Sequence, residues 1–378
     1  MAYMSRRTLL SGLAAAGLAR AAPAAPVAIA RCPGYGDELL PALKKIFDQI
    51  GGLGRIVKGR TVAIKLCLNG NPAWRQGWLQ NGDSHWPHPR LIQATLHLME
   101  NAGARRIRLL ESAPQSLSAP LEEHMLAANW EPAGFTSAAK NVEFENTNAL
   151  GNGRKYSRIT VPNGGFVFPA YDVNHSYEDC DVFVSFGKVK DHPTAGVTLG
   201  IKNVFGITPS AVYSSRMTVL HNGRKQPLEG APPEKDPKSP RDDGYRIPRI
   251  IAELVAARPV HLSLLDGIKT IAGAQRPETY TTPVNPGFLV TGANVVNVDA
   301  IAMALMNYDP MADRGSAPFE TCDNTLRIAE ELGVGTRDPR RIELAGARIR
   351  EAMFDFKALR ERSEVIRRKI NPKGLVKT

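Results

Sequence analysis

Residues 181–206 concentrate side chains that could bind and process a small anion. The stretch begins with an apolar run that predicts a buried strand, and ammonium, imidazole and amide groups follow it. These groups belong to Lys188, Lys190, His192, Lys202 and Asn203. Ammonium groups attract carboxylates and phosphates, and histidine exchanges protons near neutral pH. The stretch therefore predicts an anion site at the carboxyl end of a strand, with His192 as general acid or base. The alternative is a tight turn with solvated lysines.

Glycines punctuate the same stretch at Gly196, Gly200 and Gly206. Because glycine has no Cβ, its backbone N–H group can come close to a bound ligand. We therefore expect these glycines to let the backbone approach the anion.

Other predicted strands add candidates to this site. Residues 61–68 form a strand-like run that contains Lys65 and leads to Asn69. Residues 260–265 form another strand, which delivers Asp266 at its carboxyl end. We expect Lys65 and Asn69 on the opposite wall, and Asp266 to orient His192 if the strands are neighbours. Asp266 could instead cap a turn. His221 is a further candidate contact for a substrate or cofactor.

Strand and helix patterns alternate along most of the chain. Residues 37–50 and 89–101 have helical spacing, and the latter lie between strand-like runs at 61–68 and 107–110. This order predicts an α/β fold with a mostly parallel sheet and helices on both faces, and it allows two lobes around a cleft. We expect a hairpin within 151–177, with a strand piece at 165–168.

The charge distribution argues against nucleic acid as a partner. The chain has 378 residues and a net charge of +11, of which residues 1–25 carry +3 and residues 337–378 carry +7. The body of the protein is therefore nearly neutral, and we expect no nucleic-acid binding. The four cysteines are widely spaced, which argues against an iron–sulfur cluster. Disulfides and free thiols both remain open.

The N-terminus resembles a twin-arginine export signal. Arg6 and Arg7 precede a short, weakly apolar run with cleavage-like alanines. We therefore expect a periplasmic or otherwise exported protein that engages the twin-arginine machinery, and no transmembrane span in the mature chain. The predicted organisation is an export signal at 1–25, an α/β domain at 26–346 and a basic, solvated helical tail at 347–378.

The sequence resembles the family called "domain of unknown function 362". The resemblance spans most of the predicted domain. Its most specific part is the run FGKVKDHPTAGVTLGIKNVFG, and it extends to VAIKLCLNGNP, the helix after His88-Pro89, Leu265-Asp266-Gly267-Ile268 and ANVVNVDAIAMALMNYDP. The resemblance implies an α/β fold and names no reaction.

A second, more distant resemblance is to the lactate racemase (nickel-pincer) enzymes. It is carried by His192, Ala195, Gly196, Gly200 and Lys202. It implies that the histidine is an acid/base for a 2-hydroxy acid and that the lysine carries a nickel pincer nucleotide. The sequence departs from that family in having leucine before Gly200 and no counterpart of its substrate motif. The cofactor, whether such a nucleotide or another metal, is therefore left open.

These observations support two main hypotheses. The first is an exported enzyme that acts on a small anionic substrate by acid/base chemistry at His192, with or without a bound cofactor. The second is a periplasmic ligand-binding or maturation protein that uses the same lysines and performs no chemistry. Electron transfer through a cluster is less favoured, since the cysteines are not clustered.

Overall fold

The fold is known from a computed structural model, which describes residues 26–73, 78–113, 117–148, 150, 155–214, 218–273 and 281–361. The predicted export signal lies outside these residues, as does part of the basic tail. Within them the strands are β1 (Val27–Arg31), β2 (Thr61–Lys65), β3 (Arg106–Glu111), β4 (Val142–Asn146), β5 (Tyr156–Thr160), β6 (Ala170–Asn174), β7 (Val182–Lys188), β8 (Asp191–His192), β9 (Gly196–Val197), β10 (Leu262–Gly267), β11 (Thr270–Ala272), β12 (Thr282–Val284), β13 (Phe288–Gly292) and β14 (Leu344–Gly346).

Helices connect the strands and cover the sheet. They are α1 (Leu39–Gln49), α2 (Leu53–Val57), α3 (Asn81–Ser84), α4 (Pro89–Asn101), α5 (Leu121–Leu126), α6 (Pro132–Thr136), α7 (Leu199–Val204), α8 (Ser210–Tyr213), α9 (Thr218–Asn222), α10 (Asp243–Ala257), α11 (Val295–Leu305), α12 (Thr325–Glu331) and α13 (Ile349–Ala352).

An eight-stranded sheet forms the centre, in the order β14-β1-β13-β10-β7-β2-β3-β4. Strands β10, β7, β2, β3 and β4 are mutually parallel, while β13 runs antiparallel to both of its neighbours. The predicted α/β class with a mostly parallel sheet is therefore confirmed. Because β10, β7 and β2 are neighbouring parallel strands, their carboxyl ends lie side by side along the same end of the sheet, which we call its carboxyl edge.

Both faces of the sheet are buried, as a parallel sheet requires. On β7, Val182 and Val184 face a core that includes side chains of α1 and α4, whereas Phe183 faces a second core with side chains of α10 and α11. Pro89 stands at the first position of α4, and the side chain of His88 accepts the N–H of Arg90 as an N-cap. The helices on both faces thus follow the predicted pattern.

Two local expectations were wrong. The hairpin within 151–177 is present as β5 and β6, but residues 165–168 lie in the loop between these strands. Their backbone does not extend a ladder, because the N–H groups of 166–168 donate to the Glu253 carboxylate. The tail is also not wholly solvated, since Ala352 and Phe356 are buried in the core.

Two further features of the described residues are the state of the cysteines and the length of the helices. Cys32, Cys67, Cys180 and Cys322 are all free thiols. None of the helices in these parts of the chain is long and apolar enough to cross a membrane.

Candidate functional site

The parallel strands place Lys65, Lys188 and Asp266 at one edge of the sheet. Lys65 is the last residue of β2, Lys188 is the last residue of β7, and Asp266 of β10 lies directly opposite Lys188. All three side chains are buried. Sequence separation is no obstacle here, because strands that run in parallel deliver their carboxyl ends to the same place.

Lys188 and Asp266 form a fully buried ion pair. Lys188 Nζ lies 3.0 Å from Asp266 Oδ2, and both side chains have 0% exposure. The carboxylate also accepts hydrogen bonds from the Tyr35 hydroxyl at 2.9 Å, the His88 N–H at 2.9 Å and the Ile268 N–H at 3.1 Å. Burial lowers the pKa of Lys188, and the neighbouring Asp266 opposes that shift.

This network does not include His192. Within the described residues, every hydrogen bond of the Asp266 carboxylate goes to Tyr35, His88, Lys188 or Ile268. The structure therefore gives no support to the expectation that Asp266 orients His192. Asp266 is better described as the counterion of Lys188. Its carboxylate also accepts a hydrogen bond from the Ile268 N–H, which matches the alternative of a turn cap.

Tyr35 and His88, which the sequence analysis did not select, cover this ion pair. Their rings stack with centroids 3.8 Å apart and planes inclined by 12°. Burial lowers the pKa of His88 to about 4, so its imidazole is neutral at pH 7. The sequence signals for His88 were its place before Pro89, which indicated a helix start, and its place in a loop rich in tryptophan and histidine, which could either cover a ligand or anchor the loop.

Lys65 has a buried counterion of its own. Its Nζ lies 2.5 Å from Glu111 Oε1, and it also donates to the Leu66 carbonyl at 2.5 Å and to Asn203 Oδ1 at 3.3 Å. Glu111 ends β3, next to β2 in the sheet. A carboxylate at the end of the neighbouring strand was the signal that could have identified Glu111. Since an ammonium has three N–H donors, Lys65 has none left for a ligand.

Asn203 fastens helix α7 to the sheet. Its Nδ2 donates to the Lys65 carbonyl at 3.0 Å and to Ser185 Oγ at 3.1 Å. These bonds join α7 to β2 and β7. Asn203 therefore acts first as a structural link that positions its neighbour Lys202.

Lys190 and Asn69 meet at the same edge. Lys190 Nζ donates to the His85 carbonyl at 2.7 Å and to Asn69 Oδ1 at 3.2 Å. Burial lowers the pKa of Lys190 to about 8; the nearby Cys67 opposes this shift, while Lys188 adds to it. The structure thus brings Asn69 and Lys190 into direct contact.

Lys202 differs from the other lysines of the site. Within the described part of the chain its ammonium makes no hydrogen bond or ion pair, and it lies 4.4 Å from the centre of the Phe205 ring. Burial lowers the pKa of Lys202 to about 8; Cys67 opposes the shift, and the charges of Lys190 and Lys65 add to it. Lys202 is therefore a partly buried cation that is subject to the charges of two other lysines, Lys190 and Lys65.

Asp299, another residue that the sequence analysis did not place in the site, holds the start of α7. Its Oδ1 accepts the Gly200 N–H at 3.0 Å and its Oδ2 accepts the Ile201 N–H at 2.7 Å. Burial raises the pKa of Asp299 to about 8, although these two hydrogen bonds oppose the shift. Asp299 and Asn203 thus fix the helix that carries Lys202.

The glycines have a different role from the one expected. The Gly200 N–H is already bonded to Asp299, and a Cβ at Gly200 would lie 2.5 Å from Ser263 Oγ. A Cβ at Gly206 would lie 2.9 Å from Lys65 Nζ. Their absent side chains permit close packing of α7 and its flanks, so the expectation that Gly200 offers its N–H to an anion is wrong.

His192 lies on the short β8–β9 hairpin and is half-buried. Its Nδ1 accepts the Thr194 N–H at 3.2 Å, which places the proton of the neutral ring on Nε2. None of the contacts that Lys188 or Lys202 makes within the described residues reaches His192. The adjacent Asp191 points into the interior, where the Tyr308 hydroxyl donates to it at 2.7 Å.

His221 lies close to Phe205, the ring on which Lys202 rests. The two ring centroids are 5.7 Å apart, and His221 Nδ1 is 3.3 Å from Asp243 Oδ2. Across the described residues, no group of three or more His, Cys, Asp or Glu side chains could hold a metal ion. The imidazole of His221 is thus engaged with Asp243.

Comparisons with known proteins define what the chain is similar to. It matches the lactate racemase apoprotein of Thermoanaerobacterium thermosaccharolyticum with a TM-score of 0.36 and 14% identity, over 65% of this chain and 50% of that one. It matches a protein from Thermotoga maritima with a TM-score of 0.37 and 13% identity, over 65% and 53% of the two chains. The chain thus spans about half the length of these solved structures. Neither match carries a functional conclusion.

A sequence relative and a family give the remaining comparisons. The chain is 22% identical to the "Thylakoid-associated protein sll1697" of Synechocystis sp. over 287 residues, which is 75% of each protein. Residues 78–304, more than half of the chain, match the family described as "Domain of unknown function (DUF362)". The chain therefore belongs to the DUF362 family.

Proposed function

We propose that this protein binds a small carboxylate or phosphate compound at a site centred on Lys202. One observation carries the proposal: within the described residues, Lys202 has neither a hydrogen bond nor an ion pair. Lys65 and Lys188 each have a buried carboxylate within 3.0 Å. A partly buried ammonium without a counterion is a cost to the folded protein that an anionic ligand would offset.

The neighbouring cations favour the same ligand. Burial lowers the pKa of Lys202, and the charges of Lys190 and Lys65 add to this shift, whereas Cys67 and Glu111 oppose it. A bound anion would interact favourably with the ammonium groups of Lys202 and Lys190, and it would raise the pKa of Lys202 again. We therefore expect anion binding to take up protons near pH 8.

Calorimetric titration with propionate and with inorganic phosphate tests the proposal. We expect Lys202→Met to weaken binding by roughly 10-fold to 100-fold, which corresponds to the loss of one charge-assisted hydrogen bond of about 1.5–3 kcal/mol. Lys202→Arg should retain most of the affinity, because it keeps the charge. Lys44→Met, at an exposed lysine of α1, is the matched control. Equal affinity of Lys202→Met and wild type would refute the proposed site.

We also propose His192 as a general acid/base toward the bound molecule. Its ring is half-buried, and the Thr194 N–H fixes its orientation. Deuterium incorporation at Cα of a 2-hydroxy acid such as lactate, in D2O, provides an assay. We expect His192→Gln to abolish exchange and to spare affinity. If wild-type protein binds the acid and no exchange occurs, the alternative of a binding or maturation protein is favoured.

Export through the twin-arginine pathway remains our proposal for localisation. It is supported by Arg6 and Arg7 before the short apolar run. Replacing both arginines by lysine should retain the protein in the cytoplasm, as measured by cell fractionation. Unchanged periplasmic recovery of that variant would contradict the proposal.

A further inference from the structure

We infer that Lys202 is also a nucleophile, which forms an imine with the carbonyl group of a small 2-oxo acid. The inference rests on the proposed anion site and adds a covalent step to it. It concerns the side-chain nitrogen of Lys202, whose surroundings differ from those of Lys65 and Lys188.

The first support is that the nitrogen of Lys202 makes no hydrogen bond or ion pair within the described residues. Lys65 and Lys188 have the carboxylates of Glu111 and Asp266 within 3.0 Å as counterions. The Lys202 nitrogen instead rests against the Phe205 ring at 4.4 Å. An amine needs its lone pair to attack a carbonyl carbon, and only an amine without a carboxylate partner loses its proton easily.

The second support is the fixed position of the helix that carries Lys202. Asp299 accepts two N–H groups at its start, and Asn203 ties it to β2 and β7. The backbone of Lys202 is therefore anchored on both sides. A nucleophile on a fixed element meets its substrate in a restricted geometry, which favours reaction.

The lowered pKa of Lys202 also favours its role as a nucleophile. With a pKa of about 8, roughly a tenth of Lys202 is neutral amine at pH 7, against less than about one in a thousand for an ordinary lysine. Burial and neighbouring cations are the two means by which proteins activate a lysine nucleophile. Both act on Lys202.

The chemistry balances without a further reactant. The amine nitrogen adds to the carbonyl carbon, and a proton moves from nitrogen to oxygen to give a carbinolamine. The nitrogen then loses its second proton, and the oxygen leaves as water. One C=O bond is exchanged for one C=N bond, and there is no change in oxidation state.

The surrounding charges indicate the substrate class. The carboxylate of a 2-oxo acid is one bond from its carbonyl carbon, so attack by Lys202 would bring that carboxylate under the influence of the Lys190 charge, which already acts on Lys202. A neutral aldehyde would gain nothing from this cation. We therefore expect 2-oxo acids to react in preference to neutral carbonyl compounds.

Reductive trapping tests the inference. Wild-type protein is incubated with pyruvate and sodium borohydride, and the modified lysines are located by peptide mass mapping. We expect one reduced pyruvyl group per chain, on Lys202, and competition by propionate. Lys202→Arg should lose this adduct, and Lys44→Arg should keep it. Acetaldehyde at the same concentration should label Lys202 at least 10-fold less.

Two results would overturn the inference. One is a pyruvyl adduct spread over surface lysines with no excess at Lys202, which wild-type protein alone reveals. The other is an absence of any Lys202 adduct although propionate binds. That second result would leave the proposed anion site intact, whereas failure of propionate and phosphate to bind would refute the site itself. Propionate binding by Lys202→Arg checks that this variant is folded.

Discussion

The buried Lys188–Asp266 pair permits a quantitative prediction about stability. Lys188→Met removes the bond to Asp266 at 3.0 Å and a second bond to the Gly82 carbonyl at 2.9 Å. Breaking a buried ion pair typically costs about 3–5 kcal/mol, because one charge is left uncompensated. Asp266 keeps the hydroxyl of Tyr35 and two backbone N–H donors, which favours the lower end. We therefore expect the free energy of unfolding to fall by about 3 kcal/mol.

Urea unfolding, monitored by circular dichroism and by fluorescence, measures this loss. The matched control is Lys269→Met, because Lys269 lies 3.5 Å from Asp83 but its side chain is 41% exposed. That exposed pair should contribute less than about 1 kcal/mol. The double variant Lys188→Met/Asp266→Asn should lose clearly less than the two single losses combined, since it leaves no unpaired charge.

The reasoning fails if Lys188→Met is no more destabilising than Lys269→Met. It also fails if the losses of Lys188→Met and Asp266→Asn add within about 0.5 kcal/mol, because residues in direct contact should be coupled. Either result would mean that the edge of the sheet is well solvated and that its charges do not depend on one another.

Two further predictions concern Lys202 and its support Asp299, and a third concerns the buried Asp191. Anion affinity should fall as pH rises through about 8, by at least about tenfold between pH 7 and pH 9, because Lys202 loses its proton. Calorimetry at several pH values checks this, and Lys202→Arg should give a shallower profile, in which Lys190, whose pKa is also lowered to about 8, still titrates. Asp299→Asn should cost about 1–3 kcal/mol in urea unfolding at pH 5, because an amide NH2 would face the Ile201 N–H. Since the pKa of Asp299 is raised to about 8, wild-type stability should fall as pH rises from about 4 to 8, and the variant should lack this slope. Arg360→Met should lower stability at pH 7 by about 1–3 kcal/mol, because Arg360 lies 3.6 Å from the buried Asp191 and opposes the rise of its pKa; an unchanged urea midpoint would contradict this.

Much of the scaffold was predictable from local patterns. The apolar runs that contain β2, β7 and β10 predicted strands, because a strand buried on both faces needs continuous apolar residues. The helix that begins at Pro89 was predicted from its N-terminal proline and from the helical spacing of its apolar residues. The loop at 165–168 was misread because its backbone N–H groups are satisfied by Glu253, which is distant in the sequence.

The sequence by itself determined the fold class and the set of charged side chains at the strand ends, because parallel strands bring their carboxyl ends to one edge. Only the tertiary structure decided how those charges pair. Asp266 binds Lys188 and not His192, since β10 lies beside β7 in a register that sets these two residues opposite each other. Glu111 pairs with Lys65 because β3 lies beside β2 in a register that places Glu111 one residue beyond the position opposite Lys65. Lys202 lies on helix α7, outside the sheet, and it forms no ion pair with a carboxylate of the described residues. Which lysine pairs with which carboxylate depends on strand order and register, and neither can be predicted from the spacing of residues along the chain.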